Sequence, residues 1–301
     1  MGLVVCGNHV RMTFGYYLVK TFPEKETIIN VWSNKEDLIN TNFGQVFYQN
    51  LLNMQEKLST SEAPKQFDMS YMGFSLCMGN FDGDSEEDVA VGVPRGSSLK
   101  GMVVLFNHRL EVLYNITGDQ IGSYFGYSIA VLDYDGDGLD DVAVGSPWHT
   151  QIGNPSLLYE EGSVSLFKHT LQHNFRRTQK LFGKKSRSHF GLSMTSLKDL
   201  NGDGFEDLAV GAPRDGKDQK GAVYIFLGGP SGLIEKPAQT IFAEDLAKPA
   251  INSFGWALSG GLDLDQNEYP DLAVGAHESN KVIIFRTRPI VSVDASVKYQ
   301  E

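Results

Sequence analysis

Apolar residues along this chain fall into short runs that recur in a fixed order, and the order predicts β-strands. Four runs are nearly identical: Val89-Ala90-Val91-Gly92, Val142-Ala143-Val144-Gly145, Leu208-Ala209-Val210-Gly211 and Leu272-Ala273-Val274-Gly275. Pro follows each closing Gly two residues later in three copies (Pro94, Pro147, Pro213), and His277 takes that place in the fourth. Upstream of each run lies a stretch built on one plan. These stretches are Tyr124-Phe125-Gly126-Tyr127-Ser128-Ile129-Ala130, His189-Phe190-Gly191-Leu192-Ser193-Met194-Thr195, Ser253-Phe254-Gly255-Trp256-Ala257-Leu258-Ser259 and, with Met72 replacing Phe, Tyr71-Met72-Gly73-Phe74-Ser75-Leu76-Cys77. A third strand follows at Gly101–Phe106, Gly162–Phe167, Gly221–Phe226 and Lys281–Phe285, and a more polar fourth segment such as Glu111–Tyr114 or Gln239–Phe242 follows the first three. Short β-rich runs bounded by Gly, Pro and Asp read as strands. A repeated cassette of four, grading from small and apolar to polar, predicts an all-β fold, a β-propeller of four-stranded blades. A β-sandwich could hold as many strands but has no reason to repeat one cassette four times.

The polar positions carry the chemistry. Between the first and second strands of each cassette lies a loop with oxygen-bearing side chains at positions 1, 3, 5 and 9. The second copy supplies Asp133, Asp135, Asp137 and Asp141, with the carbonyl of Leu139 at position 7. The third supplies Asp199, Asn201, Asp203, the carbonyl of Phe205, and Asp207; the fourth Asp263, Asp265, Asn267, the carbonyl of Tyr269, and Asp271; the first Asn80, Asp82, Asp84, the carbonyl of Glu86, and Asp88. Calcium takes six to eight oxygens at flexible geometry, and alternate residues of a tight loop can turn theirs inward together. An EF-hand opens similarly but needs Glu at position 12 between helices, whereas position 12 here is Val91, Val144, Val210 or Val274 within a strand. Four calcium sites are therefore expected, with the 133–141 loop the tightest by carboxylate count.

The formal charge of -11 fits this reading and argues against nucleic-acid binding, which relies on Lys and Arg. Four calcium ions would move the balance to -3. The chain has 301 residues and no apolar run near the ~18 needed for a membrane span. Its opening residues are too short and uncharged for a secretory signal. Cys6 and Cys77 are the only cysteines, so no disulfide framework is expected, and Asn115-Ile116-Thr117 is a candidate glycosylation sequon.

The Phe-Gly pairs, the Asp-rich loops and Gly211-Ala212-Pro213 resemble the FG-GAP repeats of integrin α subunits over about residues 67 to 300. The likeness is to the Arg-Gly-Asp-recognising subgroup without an inserted domain, since no Asp-x-Ser-x-Ser motif occurs. It implies the last four of seven blades, at 67–118, 119–183, 184–246 and 247–287, followed by the start of a stalk domain at 288–301. Residues 1–66 resemble early blades only remotely, as a divergent remnant. Seven blades of about 60 residues need about 420, so the propeller is expected to be incomplete. The resemblance further implies a cell-surface adhesion receptor, the extracellular part of a single-pass membrane protein, paired with an integrin β subunit and binding extracellular matrix. By that resemblance Asp68, on the end opposite the calcium loops, would hold a ligand's Arg. Tyr71, Phe74, Tyr124, Tyr127 and Trp256 would surround a cation from the β subunit, or simply pack the channel end of the blades.

Two other readings are weaker. FG-GAP-like repeats also accompany a secreted phospholipase acting on glycolipid anchors, but neither a zinc-spaced His cluster nor a Gly-x-Ser-x-Gly elbow is present, and no enzymatic activity is expected. A polyanion-binding module would use Arg176, Arg177, Lys180, Lys184, Lys185 and Arg187, although a solvated outer strand explains them as well.

Overall fold

A computed structural model describes residues 60, 64–152, 158–246 and 251–288, and the backbone alone of 3–6 and 9–12. Most of the early-blade remnant (1–66) and the stalk start beyond Arg288 lie outside the described residues. The backbone of β1 (Leu3–Cys6) and β2 (His9–Met12) forms an antiparallel hairpin.

Four antiparallel sheets follow in chain order, each meandering strand by strand. The first joins β3 (Leu76–Gly79), β4 (Asp88–Val93), β5 (Met102–Phe106) and β6 (Val112–Thr117). The second joins β7 (Ser128–Leu132), β8 (Asp141–Ser146), β9 (Ser163–His169) and β10 (Phe175–Phe182). The third joins β11 (Ser193–Lys198), β12 (Asp207–Ala212), β13 (Ala222–Phe226) and β14 (Gln239–Phe242). The fourth has three strands among the described residues, β15 (Phe254–Leu262), β16 (Asp271–Ala276) and β17 (Lys281–Phe285). These are propeller blades, with the first strands of successive blades side by side.

Burial explains the composition of each strand. Every residue of β4, β8 and β12 is buried, and β8 and β12 are each covered by a neighbouring blade on either face. Apart from its opening Asp the strand is filled by small and aliphatic residues, and each buried Val contributes about 1.5–3 kcal/mol by leaving water. The outer strands β6 and β14 are mostly exposed or half-exposed, so they tolerate polar residues. In the fourth blade Val282 and Ile284 of β17 are 71% and 55% exposed, unlike their counterparts in β13.

The Phe-Gly motif joins one blade to the next. Its Phe enters the core: Phe125, Phe190 and Phe254 are buried and bridge in parallel to Gly101, Gly162 and Gly221 of the preceding blade. Its Gly has φ of +90°, +83° and +86° at Gly126, Gly191 and Gly255, a backbone region that other residues rarely enter. The carbonyl of that Gly accepts a hydrogen bond from a Ser hydroxyl of the preceding blade, at 2.8 Å from Ser75, 2.7 Å from Ser128 and 2.7 Å from Ser193. The same carbonyl lies directly over Gly92, Gly145 or Gly211 of the preceding second strand, where any Cβ would overlap it. The closing Gly of each Ala-Val-Gly run is therefore a contact surface between blades.

Cys77 is fully buried and disulfide-bonded, which corrects the expectation that the cysteines form no disulfide. Cysteine count alone does not reveal which distant thiols the fold brings together.

The blade contact predicts an asymmetry between equivalent glycines. Gly211→Ala should cost about 3 kcal/mol in chemical denaturation, because its Cβ collides with a backbone carbonyl that cannot retreat. Gly275→Ala, at the same position of the last blade, meets only the Ala257 Cβ at 3.3 Å and should cost less than about 1.5 kcal/mol. Equal losses would contradict the blade-contact account.

Candidate metal centres

Each Asp-rich loop is wound by its own side chains. The position-1 residue gathers backbone N–H groups of the turn: Asp133 accepts from Gly136 at 2.8 Å and Gly138 at 2.8 Å, and Asp199 from Gly202 at 2.7 Å and Gly204 at 2.8 Å. Asp263 does the same for Asn267 and Glu268, and the Asn80 Oδ1 for Gly83. Position 5 then accepts from the N–H of position 7, as Asp84 does from Glu86 at 2.7 Å, Asp137 from Leu139 at 3.0 Å, Asp203 from Phe205 at 3.1 Å and Asn267 from Tyr269 at 2.9 Å. These bonds satisfy the turn's donors and hold the carboxylates on its inner side.

Position 9 has a second task that the spacing did not disclose. Asp88, Asp141, Asp207 and Asp271 are all at most 2% exposed. Asp207 accepts from Leu200 N–H at the loop start and Gly228 N–H beyond β13, both at 2.8 Å. Asp271 accepts in the same way from Leu264 at 2.9 Å and Thr287 at 2.8 Å. Asp88 holds Phe81 N–H, and Asp141 holds the N–H of His169, the last residue of β9. One carboxylate thus ties the loop to the exit of the third strand.

The carboxylates of a loop crowd together. Ligand atoms of Asp84, Asp88 and His108, of Asp133, Asp135 and Asp141, and of Asp263, Asp265 and Asp271 lie within 4.8 Å of one another in each set. Among the described residues the third loop forms no such group, and there Asn201 donates to Asp203 at 2.9 Å. Burial, then the neighbouring carboxylates, push the Asp141 carboxyl up to about 8; burial does the same for Asp88 and Asp207, each up to about 6. In the second loop Asp135 Oδ1 and Asp141 Oδ2 are buried and have no hydrogen-bond partner. Buried acceptors of this kind, all oxygen and all acidic, suit a hard divalent cation.

The loops also touch one another. Asn80 N–H donates to Asp140 Oδ2 at 2.7 Å, and Glu206 N–H to the Asp133 carbonyl at 3.0 Å. Tyr134, 1% exposed beneath the second loop, reaches Thr178 Oγ1 at 2.9 Å.

The opposite end carries the aromatic residues. Phe74 packs on Tyr127 at 4.7 Å between centroids, and Trp148 joins Tyr127 at 5.1 Å to Tyr124 at 4.9 Å. Trp148 was not singled out from the sequence, although it directly follows the recurring Pro147. Trp256 stacks instead on His277 at 4.1 Å, and Arg95 covers Tyr71 at 5.0 Å. Asp68 is exposed immediately after the turn Lys65–Phe67, and Asn115 is exposed on β6. Within the basic run, Arg177 and Lys180 are already paired with Asp119, at 2.8 Å and 3.0 Å.

These observations define a class: a β-propeller with an acidic turn in each blade. The FG-GAP repeat family matches residues 125–167 and 190–226. Over 246 residues the chain is 47% identical to integrin alpha-PS2 of Drosophila melanogaster, covering 80% of this chain and 18% of that protein. It is 41% identical over 239 residues to integrin alpha-8 of Homo sapiens (79% and 22%) and 38% identical over 244 residues to integrin alpha-V of Gallus gallus (81% and 24%). The chain belongs to the integrin α subunits as an FG-GAP propeller segment, and it spans between 18% and 24% of the length of these relatives. The relatives are integrin subunits and not enzymes, in keeping with the expectation of no enzymatic activity. Among the described residues no helix is long and apolar enough to cross a membrane.

The buried acids fix a pH dependence for the metal-free chain. A carboxyl whose folded pKa is raised stabilises the fold fully below its ordinary value of 3.8 and loses that contribution as pH rises through about 6 for Asp88 and Asp207 and about 8 for Asp141. With chelator present, the unfolding midpoint should therefore fall as pH is raised from about 5 to about 8.5, and Asp141→Asn should flatten the upper part of that fall. A midpoint that climbs over this range in chelator would contradict the assignment.

Proposed function

We propose that this segment is part of the ligand-binding head of an integrin α subunit, a calcium-dependent cell-surface adhesion receptor acting as a heterodimer with a β subunit. The observation that carries the metal part is the pair of buried, unpartnered oxygens of Asp135 and Asp141 inside the second loop. Calcium would be held by the carboxylate and amide oxygens at positions 1, 3, 5 and 9 of each loop and by the position-7 carbonyls of Glu86, Leu139, Phe205 and Tyr269. The ion supplies positive charge and joins the loop strands; it takes no part in chemistry. Blades at 67–118, 119–183, 184–246 and 247–287 follow from the cassette.

The binding face is assigned to the opposite end. There Asp68, exposed and free to form a bidentate pair, would take the guanidinium of an Arg-Gly-Asp-type matrix ligand. Phe74, Tyr124 and Tyr127, drawn together by Trp148, offer ring faces to a cation from the β subunit, with Tyr71 and Trp256 beside them. Asn115 on the exposed outer strand is a suitable glycan acceptor.

Two measurements test this reading. Saturating calcium should raise the melting temperature of the chelated chain by roughly 5–15 °C, as mass action gives for a site filled to 100–1,000 times its Kd; identical melts with and without chelator would remove the metal assignment. In a heterodimer with a β subunit, Asp68→Ala should weaken capture of an Arg-Gly-Asp peptide by about tenfold or more while leaving assembly intact. Unchanged capture would remove Asp68 from the site.

A further inference from the structure

The third strand of each blade ends beside the acidic loop of the same blade, and in three of the four blades a basic side chain stands at that end. Lys168 follows Phe167, His108 lies two residues past Phe106, and Arg286 follows Phe285, whereas Leu227 and Gly228 stand past β13. Lys168 is the most engaged of these. Its Nζ is ion-paired with Asp135 Oδ2 and lies 3.0 Å from Asp137 Oδ2, which are positions 3 and 5 of the second loop. His108 Nδ1 stands 3.4 Å from Asp84, and Arg286 Nε 3.9 Å from Asp265.

We infer that Lys168 is a tethered counter-cation of the second loop, which neutralises Asp135 and Asp137 in the metal-free chain and is displaced into solvent when a divalent cation binds. The inference rests on the metal reading proposed above, and three observations build on it. An ammonium carries one charge, while the loop presents four carboxylates at its ligand positions, so repulsion is only partly relieved. Asp135 Oδ1 and Asp141 Oδ2 remain buried and unpartnered even with Lys168 in place, so the ammonium does not complete the site. The Lys168 side chain is 34% exposed and that of Asp135 only 7%, so the lysine has a way out and the aspartate does not.

The consequence reverses the ranking that carboxylate count suggests. A cation entering the 133–141 loop must first break two ion pairs and move a like charge, a cost the third loop does not bear. The second loop should bind calcium more weakly than its four carboxylates imply, yet hold its shape better without metal.

The test uses the full chain and calcium ion. Calorimetric titration of the chelator-stripped protein resolves the binding steps, and the step lost in Asp133→Asn belongs to the second loop. In Lys168→Met that step should tighten by about tenfold or more, and the metal-free melting temperature should fall. A second readout needs no variant. Labelling with an amine-reactive reagent, mapped by peptide mass, should modify Lys168 severalfold faster in calcium than in chelator. Equal titrations for wild type and Lys168→Met, or Lys168 labelling indifferent to calcium, would overturn the counter-cation assignment while leaving the metal sites intact. Absence of any calcium binding in both proteins would overturn the metal reading, and this inference with it.

Discussion

A buried carboxylate at the ninth position of each acidic loop is the constraint on which the rest depends. It enters the protein interior at the first residue of the second strand, where it is at most 2% exposed. In the third and fourth blades its two oxygens are both occupied by backbone N–H groups, one from the start of the loop and one from the exit of the third strand. Three strands of a blade are thereby registered at one end by a single side chain. In the first three blades burying that group (Asp88, Asp141 and Asp207) raises its pKa, so a metal-free chain keeps it at a cost that a nearby positive charge relieves. The fold and the proposed metal affinity are thus two aspects of one arrangement.

The blades are joined by a different device, at the other end of the same strands. The Phe-Gly turn places a carbonyl directly above the closing glycine of the preceding blade, and a serine hydroxyl secures it. Small size at that glycine and positive φ at the next blade's glycine are both required, which accounts for the spacing of the two glycines in the repeat. In the last blade Ala257 stands where the others have Ser75, Ser128 and Ser193. The acidic loops add a second line of contact, through Asp140 to Asn80 and Asp133 to Glu206, which links the first three blades at the loop end.

Much of this was legible in the sequence because the repeat exposes its own spacing. Strand order, loop position and the metal-type residues all recur at fixed offsets, and local periodicity is what a single sequence reports well. What escaped it depends on pairing between distant residues. Lys168 meets Asp135 only because β9 returns antiparallel beside the loop, 33 residues later. Trp148 joins Tyr124 and Tyr127 only once the second strand has come back beside the first. Position 9 read as one more ligand, since its hydrogen bonds run to backbone groups that carry no side-chain signature. Cys77 was set aside on cysteine count, and its disulfide shows that count to be a poor guide. The proposed binding face rests on likeness to integrin α subunits alone, because a single exposed aspartate and a few aromatic residues carry no spacing of their own.

The central claim is that the buried oxygens of these loops exist to hold a hard divalent cation. A crystal structure of the chain grown in calcium tests it most directly. The account predicts an ion in the second loop about 2.3–2.6 Å from Asp135 Oδ1 and Asp141 Oδ2, with the Lys168 ammonium turned away. A well-ordered second loop at saturating calcium that holds no ion, with Lys168 still between Asp135 and Asp137, would contradict it.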